Sequence, residues 1–253
     1  MDTLVLVPTY NERDNLANLV SRIVALPGYR VMVLDDASPD GTGEIAAGLS
    51  RRYQGRVDVV HRPRKEGLGR AYVDGMRRPL AQAPDLICQM DADGSHDVGE
   101  LPRLVEAAAD SDLVIGSRYL PGGALVNWPW HRAALSRWAN AYVRTILRIG
   151  IRDCTAGMRC WNPAVLSRVS LETLTSTGYA FQVETLSRAL ALGCRVREVP
   201  ITFTERRHGS SKMTAAVMLE SLAMPWRLRW PAGRSGGAKE FSAVPESTTR
   251  QHS

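Results

Sequence analysis

Five short apolar runs, each stopped by a polar turn and followed by an amphipathic stretch, fill the amino-terminal half of the chain. Leu4-Val5-Leu6-Val7, Val31-Met32-Val33-Leu34, Val57 to His61, Leu86 to Met90 and Asp112 to Gly116 are too short for helices and read as buried strands. The first intervening helix carries Leu16, Leu19, Val20 and Ile23 at helical spacing, with Asn11 as a cap and Pro27-Gly28 as its close. Further helices are expected over Glu44 to Tyr53, through Met76, and from about Val98 to Ala109. Strand and helix alternating at this pace require right-handed crossovers. The sheet is therefore mainly parallel and twisted, with helices on both faces, an α/β fold.

In such a sheet all carboxyl ends lie on one edge, the edge where ligands bind. Three of the runs end in acids or polar turns: Pro8-Thr9-Tyr10-Asn11-Glu12, Asp35-Asp36, and Asp91-Ala92-Asp93-Gly94-Ser95-His96. Each acid alone could cap a loop. Three such strand ends gathered into one crevice point instead to a site. Asp91 and Asp93 offer hard oxygen donors separated by one small residue, a pattern suited to Mg²⁺ or Mn²⁺ bound together with substrate phosphates.

A dinucleotide site fails on the first turn, because no Gly-x-Gly-x-x-Gly follows Val7, and no P-loop occurs elsewhere. Gly67-Leu68-Gly69 is only a pair of glycines and reads as a tight turn. The formal charge of +6 suggests an anionic partner. The cations are scattered and carry no recognised nucleic-acid motif, so a phosphorylated substrate or a membrane surface fits better than nucleic acid. Cys88, Cys154, Cys160 and Cys194 lie in no metal or redox spacing and read as reduced, half-buried thiols. No apolar run is long enough to span a bilayer, and Met1-Asp2-Thr3 does not open a signal peptide, so a cytosolic chain is expected.

The segments Val7 to Glu12, Asp35 to Thr42, Met90 to His96 and Gly116-Ser117-Arg118-Tyr119 together resemble glycosyltransferase family 2, of the GT-A fold. Asn127 to Arg132, Asp153 to Arg159, Val199 to Arg206 and Gly209-Ser210-Ser211-Lys212 narrow the resemblance. They are similar to the dolichol-phosphate mannosyltransferase group, and most to its actinobacterial polyprenol-phosphate mannose synthases. The resemblance covers about residues 3 to 225. It implies inverting transfer of mannose from GDP-mannose to a polyprenyl phosphate, on the cytoplasmic face of the plasma membrane. Carried over by motif, Pro8, Tyr10, Glu12 and Asp36 bind the guanosine, and Asp91, Ala92 and Asp93 the diphosphate and metal. Arg206 and Lys212 clamp the diphosphate, while Arg118 and Arg132 hold the acceptor phosphate. Where the archaeal and eukaryotic pattern has Leu-Gln after the acidic pair, this chain has Gly94-Ser95, so Ser95 or a water would complete the metal shell.

With a phosphate as acceptor no base is needed, because its second pKa is about 6 and it is already an oxygen nucleophile at neutral pH. Asp93, Arg118 and Arg132 are then the expected catalytic residues. Two readings compete: a polyprenyl-phosphate glucosyltransferase using UDP-glucose, and an inactive nucleotide-sugar-binding regulator. Residues 1–230 are expected as one GT-A domain and 231–253, rich in Gly, Ser, Thr, Pro and Ala, as a disordered tail. Two amphipathic segments, about 131–149 and Ala215 to Trp230, are candidates for a membrane interface or for packing on the core. The segment 131–149 shows Leu135, Trp138, Ala139, Tyr142, Ile146 and Ile149 at helical spacing. Family members without membrane helices work with a membrane-embedded partner, which the resemblance implies here too. Glu184 receives no catalytic role, and Asp153 and Arg159 either pair with each other or shape the acceptor groove.

Overall fold

The computed structural model describes residues 1–174, 178, 180–205 and 215–230; the side chains of 79–82 and 215–221 lie outside that description. In chain order the elements are β1 (Thr3–Thr9), α1 (Arg13–Val24), β2 (Tyr29–Asp35), α2 (Thr42–Arg52), β3 (Val57–His61), α3 (Leu68–Gln82) and β4 (Leu86–Gln89). Then follow α4 (Leu101–Ala107), β5 (Leu113–Ser117), β6 (Ala124–Val126), α5 (Trp130–Leu147), β7 (Arg159–Trp161) and α6 (Pro163–Leu166). The chain continues with α7 (Ala180–Ala191), β8 (Val196–Pro200), β9 (Thr202–Thr204) and α8 (Ala215–Arg229).

Seven strands form one sheet in the order β3-β2-β1-β4-β7-β5-β8. All pairings are parallel except those of β7, which runs against both β4 and β5. Every residue of β1 is buried, as an unalternating apolar run demands of a strand covered on both faces. Leu4 and Leu6 join Met32, Leu34 and Ile87 in a core with Tyr72 of α3, Val143 of α5 and Phe181 of α7. Val5 and Val7 join Val31 and Val33 in a second core, against Leu16 and Val20 of α1 and Leu104 of α4. Helix α3 lies so close to β2 that a Cβ on Gly75 would sit 2.6 Å from Leu34 Cδ1.

The expected strands form, and β5 is shifted by one residue, to Leu113–Ser117. The first cap is different: Glu12 holds that position, while Asn11 adopts a left-handed φ of 58° and donates its N–H to Ser38 Oγ. Helix α3 continues past Met76 to Gln82, and the fourth helix is α4 flanked by 3-10 turns at Val98–Glu100 and Ala108–Asp110. Helix α5 ends before Ile149, closed by Arg148 at φ 55°. Its buried residues are Asn140, Val143 and Leu147; of the expected apolar stripe, Leu135 and Trp138 are exposed, while Tyr142 and Ile149 pack against the core. All four cysteines are buried and free, rather than half-buried. The proposed tail, 231–253, lies outside the described residues.

The unexpected strand, β7, matters most for the site. Because it is antiparallel, the segment leading into it, Asp153 to Met158, arrives at the carboxyl edge of the other strands. A second, two-stranded sheet of β6 and β9 stands over the same edge, linked to it by a bridge from Phe203 to His96.

Candidate active site

Beyond β4 the chain turns through Asp91-Ala92-Asp93-Gly94, with Ala92 buried and Gly94 at φ 75°, a conformation that favours glycine. Asp91 is held from three directions. The Tyr72 hydroxyl donates to its Oδ1 at 3.3 Å, and its own backbone N–H donates to His96 Nδ1 at 3.2 Å. On the third side is Gly157, where a Cβ would stand 3.0 Å from Asp91 Oδ2 and 3.3 Å from His96 Cε1. Burial, reinforced by the Asp91 charge, pushes the Tyr72 hydroxyl well above its usual pKa. Tyr72 therefore keeps its proton and acts only as a donor toward Asp91. Asp93 Oδ1 accepts from the Ser95 N–H at 3.1 Å and from the Ser95 hydroxyl at 2.6 Å. Ser95 thus orients Asp93.

Tyr10 and Glu12 follow β1, and Asp36 follows β2. Glu12 is nearly buried, donating its N–H to Thr42 Oγ1 at 3.0 Å and accepting from Asn15 Nδ2 at 2.9 Å. The buried Asp36 carboxylate accepts from Arg62 Nη1, from the Glu66 N–H, and from the Gly67 N–H at 2.8 Å. Arg62 also reaches Asp74 at 2.8 Å and Glu66 at 2.6 Å. Asp36 therefore pins the basic loop between β3 and α3. That loop sets Lys65 Nζ 3.8 Å from the centre of the Tyr10 ring. Gly67, at φ 92°, supplies the turn expected of it.

Arg118 and Arg132 sit on the opposite side of the acidic turn. Arg118 follows β5 and binds Asp153 through Nε and Nη2, both at 2.7 Å, and Thr155 Oγ1 at 2.9 Å. The Asp153 side chain is fully buried and that of Arg118 is 9 % exposed. Asp153 thus pairs with Arg118 and not with Arg159. Arg159 is buried and donates to the carbonyls of Ala156, Cys154 and Gln182 and to Thr185 Oγ1. Burial lowers its pKa to about 10, which leaves it charged at neutral pH. Arg132, in the first turn of α5, donates from Nη1 to both Glu205 oxygens at 2.7 and 2.8 Å and lies over the Trp128 ring. Phe203 touches His96, Trp128 and Arg118 in turn, so β9 ties the acidic turn to both arginines.

The structure thus brings Asp91, Ala92, Asp93 and Ser95 together in one turn, flanked by Tyr10, Glu12 and Asp36 on one side and Arg118 and Arg132 on the other. Pro8 is a buried residue of β1. Arg206 and Lys212 lie outside the described residues. Sequence reasoning missed Arg62, Tyr72, Gly157 and Glu205, whose roles depend on partners remote in the chain. Glu184, given no role, is buried and paired with Arg188 at 2.6 Å.

Among the described residues no group of three or more His, Cys, Asp or Glu side chains is disposed to hold a metal by itself. Mg²⁺ and similar hard cations in phosphate sites take one or two carboxylates and complete their shell with phosphate oxygens and water. Asp91 and Asp93 fit a cation of that kind. Ser95, committed to Asp93, fits better as the residue that aims a ligand.

Residues 4–175 match the family Glycosyl transferase family 2. The chain is 46 % identical over 239 residues to the polyprenol monophosphomannose synthase of Mycolicibacterium smegmatis, covering 93 % of this chain and 90 % of that one. It is 43 % identical over 240 residues to the undecaprenyl-phosphate mannosyltransferase of Micrococcus luteus, covering 93 % and 98 %. Among solved structures it resembles glucosyl-3-phosphoglycerate synthase from Mycobacterium tuberculosis, in complex with Mn²⁺, UDP-glucose and phosphoglyceric acid. The TM-score is 0.64 at 18 % identity, over 89 % of this chain and 80 % of that one, a likeness of fold. The mainly parallel sheet, the acidic turn at its carboxyl edge and these matches agree: the chain belongs to glycosyl transferase family 2, with a GT-A-like fold.

Proposed function

We propose that the chain transfers mannose from GDP-mannose to a polyprenyl phosphate, with inversion at the anomeric carbon. The observation that carries this reading is identity of 43 to 46 % with two polyprenyl-phosphate mannosyltransferases along nearly the whole chain. Asp91 and Asp93 would hold Mg²⁺ or Mn²⁺ against the donor diphosphate. Such a cation, when bound, neutralises charge on the departing nucleotide. Tyr72, His96, Ser95 and Gly157 keep the two carboxylates in position for it. Tyr10, Glu12 and Asp36 serve the guanosine, and Asp36 does so by anchoring the loop that carries Lys65.

The acceptor phosphate brings its own nucleophilic oxygen, so no carboxylate has to remove a proton. The difficulty is the approach of one dianion to another. Exposure decides how the two arginines divide this work. The Arg132–Glu205 pair is 35 % and 25 % exposed, and pairs of that kind are worth only ~0–1 kcal/mol. An incoming phosphate can therefore displace Glu205 and take its place as the hydrogen-bond acceptor of Arg132. Separating the buried Arg118 from Asp153 would cost far more, so Arg118 stays fixed and lends its charge from where it is.

The competing glucosyltransferase reading is tested by offering GDP-mannose and UDP-glucose together, each with a distinct label, with polyprenyl phosphate and Mg²⁺ or Mn²⁺. Mannosyl lipid alone is expected. Glucosyl lipid as the main product would overturn the donor assignment. A lipid acceptor puts the working enzyme at a membrane, and no helix of the described residues is long and apolar enough to cross one.

A further inference from the structure

Arg159 is fully buried, yet its four hydrogen-bond partners among the described residues are all neutral oxygens: the carbonyls of Cys154 at 2.9 Å, Ala156 at 3.0 Å and Gln182 at 2.9 Å, and Thr185 Oγ1 at 3.1 Å. Burying a cation without a carboxylate to meet it costs free energy that a neutral side chain would spare. What a guanidinium adds is a planar fork of donors in fixed directions. Here the fork spans two pieces of chain. Cys154 and Ala156 belong to the segment that enters β7, and Gln182 and Thr185 belong to α7. Arg159 also stands opposite Gln89 in the β7–β4 ladder, so it shares a frame with the strand that ends in the acidic turn.

The residues that alternate with those two carbonyls serve the site. Asp153 and Thr155 bind Arg118, and Gly157 lies against Asp91 and His96. The Asp153 end has anchors of its own: Glu198 accepts the N–H groups of Arg152 and Asp153 at 2.8 and 2.9 Å, and Asn140 Oδ1 accepts that of Cys154 at 2.7 Å. Gly157 is fixed differently. On one side the Gly116 N–H holds the Met158 carbonyl at 2.9 Å, and on the other Arg159 holds the Ala156 carbonyl. The contact between Gly157 and Asp91 is too close for a side chain, so a small displacement of this backbone either presses on the carboxylate or releases it. We propose that Arg159 is a positioning residue for the acidic turn, setting Gly157 through the Ala156 carbonyl and, through Gly157, the Asp91 carboxylate. This rests on the reading in which Asp91 and Asp93 hold a cation against the donor diphosphate. Arg159 itself touches neither.

The test is Arg159→Lys, which keeps the charge and removes the fork. Titration calorimetry of GDP with and without Mn²⁺ reads the donor side with no turnover, the KM of a short, water-soluble prenyl phosphate reads the acceptor side, and urea unfolding without metal confirms the fold. The variant should bind GDP with Mn²⁺ about tenfold more weakly than wild type, the size of loss usual when a group behind a metal ligand is changed. Its affinity for GDP alone and its acceptor KM should stay within about twofold, because Glu198 and Asn140 still hold the other end. A general strut would give a different pattern. Equal losses with and without Mn²⁺, an acceptor KM that rises as far as the donor affinity falls, or a folded variant that binds GDP and Mn²⁺ as wild type does would each overturn the proposal. If Arg159→Lys does not fold, Thr185→Val removes one acceptor of the fork and decides by the same criterion, with an expected loss of about threefold. A wild type whose affinity for GDP is unchanged by Mn²⁺ would defeat the cation reading and this proposal with it, whereas a wild-type response kept intact in the variant defeats this proposal alone.

Discussion

Removing the Asp153 carboxylate is expected to be the most damaging single change near the site that touches no substrate. Asp153 is fully buried, and its Oδ2 accepts the Arg118 backbone N–H at 3.0 Å as well as Nε at 2.7 Å. Asp153→Ala leaves the nearly buried guanidinium without its counter-charge, a loss that costs about 3–5 kcal/mol. Against a typical domain stability of ~5–15 kcal/mol, that is about a fifth or more. Arg118→Ala strands the carboxylate and should cost a similar amount. The double substitution removes both charges, so its cost should fall short of the sum by about 2 kcal/mol or more. Urea unfolding of the four proteins gives the cycle directly, provided their slopes agree. Costs that add to within about 0.5 kcal/mol would refute the buried pair.

Glu205→Gln should leave stability within ~1 kcal/mol of wild type, because the Arg132 pair is partly in solvent. It should lower the acceptor KM by about fivefold or less with kcat unchanged, since it removes the group that competes for Arg132. A fall in kcat instead would give Glu205 a direct role. Gly157→Ala drives a methyl against Asp91 Oδ2 and His96 Cε1, at a cost of ~1–3 kcal/mol in stability and a larger proportional loss of turnover. Wild-type turnover in that variant would mean the acidic turn tolerates displacement. The thiols should resist labelling at pH 8: burial pushes Cys154 up to about 12, and the hydrogen bond with Cys160, together with burial, pushes Cys88 well above its usual value. All four cysteines are buried, so a disulfide reagent should titrate them only after unfolding; rapid labelling of the native protein would contradict their burial.

The strands and the edge they share were legible because β1, β2 and β4 are apolar runs broken by acids, a pattern that leaves few alternatives. The acidic turn was legible for the same reason. β7 was not: it is three residues long, opens with Arg159, and is stabilised by pairing on both sides rather than by its own pattern. Missing it hid the arrival of Asp153 and Gly157 at the site, and with it the partner of Arg118. Asp36 shows a second limit. Its position after β2 marked it as a site residue, but its use as the anchor of a basic loop depends on Arg62, which sits across a helix and a strand in sequence. The apolar stripe of α5 was legible as a pattern. Which way it faced was decided only by the packing of Asn140, Val143 and Leu147.

On the proposed function, mannose passes to an acceptor that supplies its own charged oxygen, at a turn held by Asp91 and Asp93. The most direct measurement is recovery of label in extracted lipid from labelled GDP-mannose, with polyprenyl phosphate or the matching polyprenol as acceptor, for wild type and Asp93→Ala. The expected result is labelled lipid from wild type with the phosphate alone, reduced at least ~10²-fold in Asp93→Ala. Equal labelling of the polyprenol, or no labelled lipid from a wild-type protein that binds GDP-mannose, would contradict the account.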